Sequence, residues 1–192
     1  MHSVRGFFPT PIYIGVVENA DLFAVQADIA KTIDNIEWKG TPQWGTSHEL
    51  STDTFKEDVI SQQGWWELDR VINEALEYYM EDINFGGKEY NRTSWATRYT
   101  RGSHAITHNH GFADLSGVYY FKTNGKDGQI FFENPSPSLK SSYVYDPSRR
   151  GIEPKEGGLL IFPGWLDHGV YSNDTDNTRI SIAFNIFFKR FE

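Results

Sequence analysis

The sequence predicts an α+β fold in which N-terminal helices support a barrel or sandwich of antiparallel strands. Two observations lead to this prediction. Apolar residues recur at helical spacing in the first 84 residues, whereas short runs separated by turn residues follow from Tyr90 onward. Aromatic residues make up 16% of the chain, and such an excess favours sheet over helix. With 192 residues we expect a single domain, with residues 1–90 as edge strand and helical support and residues 91–192 as a jelly-roll core.

The first half of the chain is predicted to contain one strand and two helices. Residues 7–17 have the pattern of a strand, and the two prolines among them place it at a sheet edge. Capping residues begin a helix over 19–33. A second helix is predicted over 55–84, with a break near Gly64, and the intervening 38–52 are expected to be irregular.

The second half is predicted to be built from strands, because apolar runs alternate with turn residues such as those at 125–128. Residues 134–151 include three prolines and form a long connection, which we interpret as a candidate mobile lid. The strand candidates are Trp95–Tyr99, Leu115–Lys122, Gln129–Glu133, Gly158–Phe162, Gly169–Tyr171 and Arg179–Phe188.

The composition limits the classes of partner and site. The net charge of −8 disfavours binding to duplex nucleic acid. The chain has no cysteine, so a metal must be held by His, Asp, Glu or backbone oxygen, and disulfides and iron–sulfur clusters are excluded. We find neither a signal-peptide pattern in the first ten residues nor an apolar run that could span a membrane, so the expected compartment is the cytoplasm.

Two nearby histidines and one distant histidine are candidate metal ligands. His108 and His110 are two apart, so in a strand they project from the same side with backbones about 6.6 Å apart. Imidazoles at that spacing can meet one ion at about 2.0–2.2 Å each. His168 follows an apolar strand and a turn. Either motif alone also fits histidines that merely face solvent.

A buried cation is predicted on the last strand. Arg179 and Ser181 share one face of this strand, and Ile180 and Ile182 share the other. If the polar face is the barrel interior, Arg179 needs a carboxylate partner, because an unpaired buried charge is very costly. The alternative is an exposed arginine on the outer face. Three histidines with open coordination positions and a cation for a carboxylate are the arrangement of a non-haem Fe(II) oxygenase that uses 2-oxoglutarate, on a jelly-roll or double-stranded β-helix barrel.

These motifs together resemble the prolyl-4-hydroxylase-like branch of the Fe(II)/2-oxoglutarate dioxygenases over roughly residues 93–188. The series HNH…LSGVYYFK…IFFENP…FPGWLDHGV…RISIAFN is similar to an uncharacterised family of 2-oxoglutarate/Fe(II) oxygenases common in tailed phages and marine bacteria. A phage origin would place the protein in the host cytoplasm. The matching elements are Tyr99-x-x-Gly102 before His108, Tyr119-Tyr120, Asp127-Gly128-Gln129-Ile130, Ile152-Glu153-Pro154-Lys155, Phe162-Pro163 before His168, and Arg179 after it.

The resemblance implies a metal face. It makes His108 the first ligand and His168 the distal ligand. The second position is usually Asp or Glu, and here it is His110, which would leave the site more positive by one charge. Asp114 is the other candidate for this position. It lies six residues after His108, about 20 Å along a straight strand, so only a tight turn at Gly111 could bring it back. We therefore favour His110.

The resemblance also implies a cosubstrate pocket. Arg179 would bind the C5 carboxylate of 2-oxoglutarate, with Ser181 and Tyr120 as hydrogen-bond donors and Tyr99 lining the pocket. The implied cofactors are Fe(II), 2-oxoglutarate and O₂. The implied reaction hydroxylates a C–H bond and releases succinate and CO₂, with the three histidines and Arg179 as the catalytic set.

Other functions and partners stay open. One is a non-catalytic jelly-roll binding or structural module with a degenerate metal site, which His110 favours and the Arg179-x-Ser181 motif disfavours. Another is a three-His dioxygenase that does not use 2-oxoglutarate, in which Arg179 holds a substrate carboxylate. The substrate, a small molecule or a protein side chain, is not identified, and a homodimer is also left open. Trp95, Trp165 and Tyr171 are candidates for the substrate entrance.

Overall fold

Two antiparallel sheets and three helices make up the described part of the chain. The computed structural model describes residues 10–41, 47–51, 57–87, 89–136 and 149–189. The helices are α1 Asn19–Ala30, α2 Val59–Gln63 and α3 Trp66–Asp82, with a 3-10 turn at Ile33–Asn35. The strands are β1 Tyr13–Val16, β2 Lys39–Gly40, β3 Glu49–Leu50, β4 Tyr90–Tyr99, β5 Ala105–His108, β6 Leu115–Lys122, β7 Ile130–Glu133, β8 Arg149–Ile152, β9 Gly158–Pro163, β10 His168–Val170 and β11 Arg179–Phe188.

The two sheets form a double-stranded β-helix. The major sheet has the strand order β1-β9-β6-β11-β4-β3-β2, and the minor sheet has the order β5-β10-β7-β8. Successive strands from β5 onward alternate between the sheets in the jelly-roll manner, apart from the β7–β8 hairpin. The predicted α+β jelly-roll class is confirmed. The division of residues 1–192 into a support and a core stays a prediction.

The helices agree with the sequence pattern. Gly64 adopts a left-handed conformation with φ of 68°, which ends α2 and lets α3 begin at Trp66. The predicted break is therefore confirmed. The first helix ends earlier than expected, at Ala30, and the chain continues into the 3-10 turn. No helix within the described ranges is long and apolar enough to cross a membrane.

The strands agree where the sequence is strongly apolar. The bounds of β6 and β11 are those predicted, and β1 lies at a sheet edge as expected, although residues 7–9 lie outside the described chain. Strand β5 was missed because it is short and mostly exposed, and β8 was missed for the same reason. Strand β8 occupies the end of the connection predicted as a lid, and residues 137–148 of that connection lie outside the described residues.

The two faces of β11 separate the core from the barrel interior. Ile182 and Ile186 are fully buried in the apolar core with the helices. Arg179, Ser181 and Asn185 face the opposite way and line a cavity. The polar face of this strand is therefore the barrel interior, which confirms the first of the two orientations considered for Arg179.

A buried ion-pair cluster joins the helices to the major sheet. Arg92 on β4 contacts Asp58 at 3.0 Å, and it also bonds to Asp69 on α3. Burial raises the pKa of Asp58, but hydrogen bonds from Arg92, Ser61 and Ser94 lower it by more, so the net pKa is below the usual value. The cluster fixes the start of α2 against β4.

We predict that Arg92→Met destabilises the protein by about 3 kcal/mol, because it leaves two partly buried carboxylates without their cation. Urea unfolding at pH 7 measures the change. Arg98→Met is the matched control, because Arg98 pairs with Glu49 at a half-exposed position and its loss should change the stability by less than about 1 kcal/mol. Equal losses in the two variants would contradict the role given to burial.

Candidate metal centre

A cavity of about 290 Å³ lies between the two sheets. The major sheet contributes polar side chains from β4, β6 and β11 to its wall. The minor sheet and the loop that follows β5 contribute histidines. Every charged or metal-ligating residue predicted from the motifs lines this one cavity: His108, His110, His168 and Arg179.

Strand pairing brings the three histidines together. His108 ends β5 and His168 begins β10, and the two residues are register partners in the minor sheet. His110 follows two residues after the end of β5, and one ligand atom from each ring lies within 4.8 Å of the other two. The ring centroids of His108 and His168 are 4.5 Å apart, and that of His110 is 5.2 Å from each.

Hydrogen bonds fix two of the rings with one nitrogen directed at the cluster. Nδ1 of His108 lies 2.8 Å from the carbonyl oxygen of Ile106, and Nδ1 of His168 lies 2.8 Å from that of Leu166. Because a carbonyl oxygen only accepts, both Nδ1 atoms carry the proton. Each Nε2 therefore keeps its lone pair for a metal ion, which is the orienting arrangement found around metal-bound histidines.

Partial desolvation keeps the three imidazoles neutral, although only His168 is fully buried, His110 is half-buried and His108 is exposed. This desolvation lowers the pKa of His108, lowers that of His110 to about 4, and lowers that of His168 well below its usual value. The neighbouring rings add to the effect for His110 and His168, because like charges would repel. Neutral imidazole is the form that binds metal, so the cluster is ready to bind an ion at pH 7.

The chain turns sharply after His110, but Asp114 does not reach the cluster. The N–H of Ala113 donates to the carbonyl oxygen of His110 at 2.7 Å, which closes a turn through Gly111. The carboxylate of Asp114 instead accepts a hydrogen bond from the backbone N–H of Phe188 at 2.8 Å. His110, not Asp114, is thus the third residue of the histidine cluster.

Trp95 supports His110, whereas the other predicted entrance residues lie elsewhere. The rings of Trp95 and His110 stack with centroids 5.7 Å apart, and Trp95 is buried in the cavity wall. Trp165 and Tyr171 are exposed, and the cavity wall of the described chain does not include them. Exposed Phe112 and Ile106 line the cavity instead.

Arg179 is a buried cation with an unused N–H group. Its side chain is 1% exposed, and its Nη1 donates to the carbonyl oxygens of Gly128 and Asp127. The guanidinium lies 3.9 Å from the ring centroid of Tyr99 and 5.9 Å from that of Tyr120. Nε has no partner, and no carboxylate within the described ranges forms an ion pair with Arg179. A buried guanidinium with a free N–H fits a carboxylate ligand.

The turn before β7 holds Arg179 in place. The carboxylate of Asp127 is fully buried and accepts hydrogen bonds from Thr123, Asn124 and Asn177. Gly128 has φ of 101°, and a Cβ there would lie 2.5 Å from the carbonyl oxygen of Tyr171. Only glycine fits this position, so the carbonyl groups that bind Arg179 are rigidly placed. The motif analysis identified this turn but not the part that it plays.

Further polar residues of the cavity were not predicted. Thr97 lies opposite Ser181 in the register, with the two hydroxyl oxygens 2.7 Å apart. His48 stacks on Tyr99 with ring centroids 4.8 Å apart. It belongs to a segment expected to be irregular, so no pattern could have pointed to it. Asn185 was also missed, because one polar residue in an apolar strand does not reveal which ligand it faces.

Comparison with known proteins finds a family model that matches part of the chain. Residues 93–185 match the model of a family described as "Putative 2OG-Fe(II) oxygenase". The match confirms the resemblance predicted from the motifs and the enzyme class, a 2OG-Fe(II) dioxygenase. The predicted similarity to phage and marine bacterial sequences stays a prediction. A search of curated proteins finds no match.

Solved structures share the fold at low identity. A Pseudomonas putida prolyl-4-hydroxylase is 15% identical with a TM-score of 0.64, covering 94% of this chain and 93% of its own. The non-heme alpha ketoglutarate dependent epimerase SnoN from nogalamycin biosynthesis is 13% identical with a TM-score of 0.65, covering 93% of this chain and 78% of its own. HygX from Streptomyces hygroscopicus, solved with nickel and 2-oxoglutarate bound, is 12% identical with a TM-score of 0.63, covering 92% and 82%.

We predict that His48 makes the metal-free protein less stable as the pH is lowered. Burial lowers the pKa of His48 to about 4, so between pH 6.5 and 4 the unfolded chain binds a proton that the folded chain refuses. The stabilising contribution is complete above pH 6.5 and is lost as the pH falls. Relative to His48→Gln, the wild type should lose about 2 kcal/mol between pH 7 and pH 5 in urea unfolding. Parallel pH profiles of the two proteins would contradict this prediction.

Proposed function

Since residues 93–185 match the 2OG-Fe(II) oxygenases, we propose that this chain is an Fe(II)- and 2-oxoglutarate-dependent dioxygenase that hydroxylates a C–H bond. The single observation that carries this proposal is the content of one cavity. It holds three neutral imidazoles with converging ligand atoms and a buried arginine that lacks an acidic partner.

The three histidines would hold the metal ion. His108 and His168 each present Nε2 while Nδ1 donates to a backbone carbonyl, so their rings need no reorientation to bind it. His110 completes the face from the turn behind β5. Three protein ligands leave open coordination positions, which the proposed chemistry requires.

Arg179 would hold the far carboxylate of 2-oxoglutarate. Its free Nε supports this role, because a bound carboxylate would satisfy a buried donor that has no partner among the described residues. Burial raises the pKa of Tyr99 and raises that of Tyr120 to about 12. Both phenols therefore stay protonated and able to donate. Ser181 stands beside them with its hydroxyl oriented by Thr97.

The protein contributes orientation and shielding, and the bound groups supply the oxidation. When bound, Fe(II) and 2-oxoglutarate supply the oxidising chemistry, in which one atom of O₂ enters succinate, the other forms the substrate hydroxyl, and CO₂ is released. Phe162, Ile130 and Val118 line the cavity with apolar surface, which limits the access of water to the reacting atoms. The substrate, a small molecule or a protein side chain, would enter past Phe112 and Ile106.

Aerobic incubation with Fe(II) and 2-oxoglutarate tests the function. We expect succinate formation at a slow rate without substrate, and we expect none from His168→Ala treated in the same way. Wild-type protein that binds both groups but forms no succinate would favour the non-catalytic module.

A second candidate function is favoured by one observation, the neutral third ligand. A face of three histidines also suits a dioxygenase that does not use 2-oxoglutarate, in which Arg179 holds a carboxylate of the substrate itself. The affinity for 2-oxoglutarate distinguishes the two functions.

We predict that the wild type binds one divalent ion through His108, His110 and His168. Anaerobic calorimetry with Mn(II) should show an affinity lower by more than about 100-fold in His168→Ala and in His110→Ala, since each removes a direct ligand. Asp114→Ala is the control and should retain wild-type affinity, because its carboxylate bonds to the end of β11. An essential Asp114 together with a dispensable His110 would contradict the proposed ligand set.

We predict that Arg179→Leu weakens 2-oxoglutarate binding about ten- to hundredfold, because it removes a charge-assisted contact worth about 1.5–3 kcal/mol. Calorimetry on the Mn(II)-loaded protein measures the dissociation constant. Arg101→Leu is the control, since Arg101 is exposed and pairs with Asp176 on the surface. Mn(II) affinity should stay unchanged in both variants. An unchanged 2-oxoglutarate affinity in Arg179→Leu would favour the second candidate function.

A further inference from the structure

A second polar pair lies in the cavity wall, away from Arg179. Ser116 on β6 and Asn185 on β11 are 2% and 1% exposed, and both line the cavity. The hydroxyl of Ser116 donates to Oδ1 of Asn185 at 2.8 Å. This bond orients the amide, with its carbonyl end on the wall and its NH₂ end free. The proposed function assigns no role to this pair.

The pair lies at the histidine end of the cavity. Ser116 is the register partner of Phe162, whose ring centroid is 4.8 Å from that of His168. Asn185 follows Ala183 on the inward face of β11, and Ala183 is the register partner of Trp95, which stacks on His110.

Asn185 is also far from the cation along the strand. Six residues of extended strand separate Asn185 from Arg179, which corresponds to about 20 Å between their Cα atoms. The guanidinium of Arg179 lies over Tyr99, its own register partner, and so does not extend along the strand. A ligand group at Asn185 is therefore distinct from the carboxylate held by Arg179.

The NH₂ group of Asn185 has no acceptor. Within the described ranges, Nδ2 of Asn185 forms no hydrogen bond, although the side chain is 1% exposed. This nitrogen is not one of the fully enclosed polar atoms that lack a partner, so it opens onto the cavity, where a ligand can reach it. Such a group in a cavity wall points to a ligand that presents an acceptor oxygen.

Charge identifies the kind of acceptor, and this step rests on the proposed function. Arg179 is the only residue with a formal charge among those that line the cavity of the described chain. Metal-bound imidazole is neutral, and the far carboxylate of 2-oxoglutarate would pair with Arg179, so a divalent ion and the remaining carboxylate leave one positive charge at the histidine end of the cavity. A negatively charged group beside this end is favoured over a neutral one.

We propose that the substrate is a carboxylic acid whose carboxylate is bound by the amide of Asn185, beside the histidine cluster. One negative charge balances the histidine end of the cavity, and the free N–H group makes a charge-assisted hydrogen bond to it. The apolar lining around Phe162 and Val118 contacts the rest of the substrate.

The test uses Co(II)-loaded protein under anaerobic conditions with saturating 2-oxoglutarate. The probes are acetate, acetamide and methylammonium, which are similar in size and carry charges of −1, 0 and +1. The visible absorption of Co(II) reports their binding. We expect acetate to bind more tightly than acetamide, and methylammonium not to bind.

Three variants test whether acetate binding depends on Asn185. Asn185→Leu should weaken acetate binding about tenfold or more, because it removes a hydrogen bond to a charged group. Asn185→Asp has the same shape and should exclude acetate by repulsion, so it keeps the test valid if the leucine variant does not fold. Asn91→Leu, exposed on β4, is the control and should bind acetate as the wild type does.

Several outcomes would overturn the inference. One is a wild type that binds Co(II) and 2-oxoglutarate but not acetate, and another is unchanged acetate binding in Asn185→Leu. A weaker affinity for 2-oxoglutarate in that variant would show that Asn185 serves the cosubstrate. A wild type that binds no metal or no 2-oxoglutarate would overturn the proposed function itself, and with it this inference.

Discussion

The burial of Arg179 without an ion pair to any described carboxylate is the constraint on which the barrel interior depends. A guanidinium in this position stays charged, so its cost must be met by fixed dipoles and by a ligand. The carbonyl oxygens of the turn at Asp127 and Gly128 and the ring of Tyr99 provide part of the compensation. The turn is rigid because its own carboxylate is buried and fully hydrogen-bonded. The remaining cost is consistent with the proposed role of Arg179 in binding a carboxylate.

The histidine cluster is organised in the opposite way, by removing charge. Its rings lie close together and are partly desolvated, which is tolerated only while they are neutral, and two of them are held by backbone carbonyls. The cavity therefore offers a full charge at one end and three uncharged lone pairs at the other. A ligand with a carboxylate at one end and metal-chelating oxygens at the other would match the charged end and the histidine end of the cavity. The third neutral ring also distinguishes this centre from sites in which the protein supplies a carboxylate.

The sequence predicts those parts of the site that follow from periodicity and ordered motifs. Strand β11 is long and mostly alternating, so the shared face of Arg179 and Ser181 could be predicted, whereas the structure was needed to show that this face is the barrel interior. His110 lies in the histidine cluster and Asp114 does not, but for a reason that the sequence did not supply: the chain does turn at Gly111, and a bond to Phe188 directs Asp114 elsewhere. The role of His110 as a metal ligand stays a prediction. Ser116 and Asn185 could not be predicted. Their meaning comes from cross-strand register, which a single sequence does not state.

The stack of His48 on Tyr99 has a consequence for how such a chain can diversify. Tyr99 belongs to the motif-bearing segment and contacts Arg179, whereas His48 directly precedes β3, well before that segment. One wall of the arginine pocket is thus contributed by a part of the chain that the family pattern does not include. Substitutions of His48 can change the polarity and shape of this pocket while the sequence motifs of the second half of the chain are retained. The ligand selectivity of the pocket can therefore change without a change in the residues proposed for catalysis.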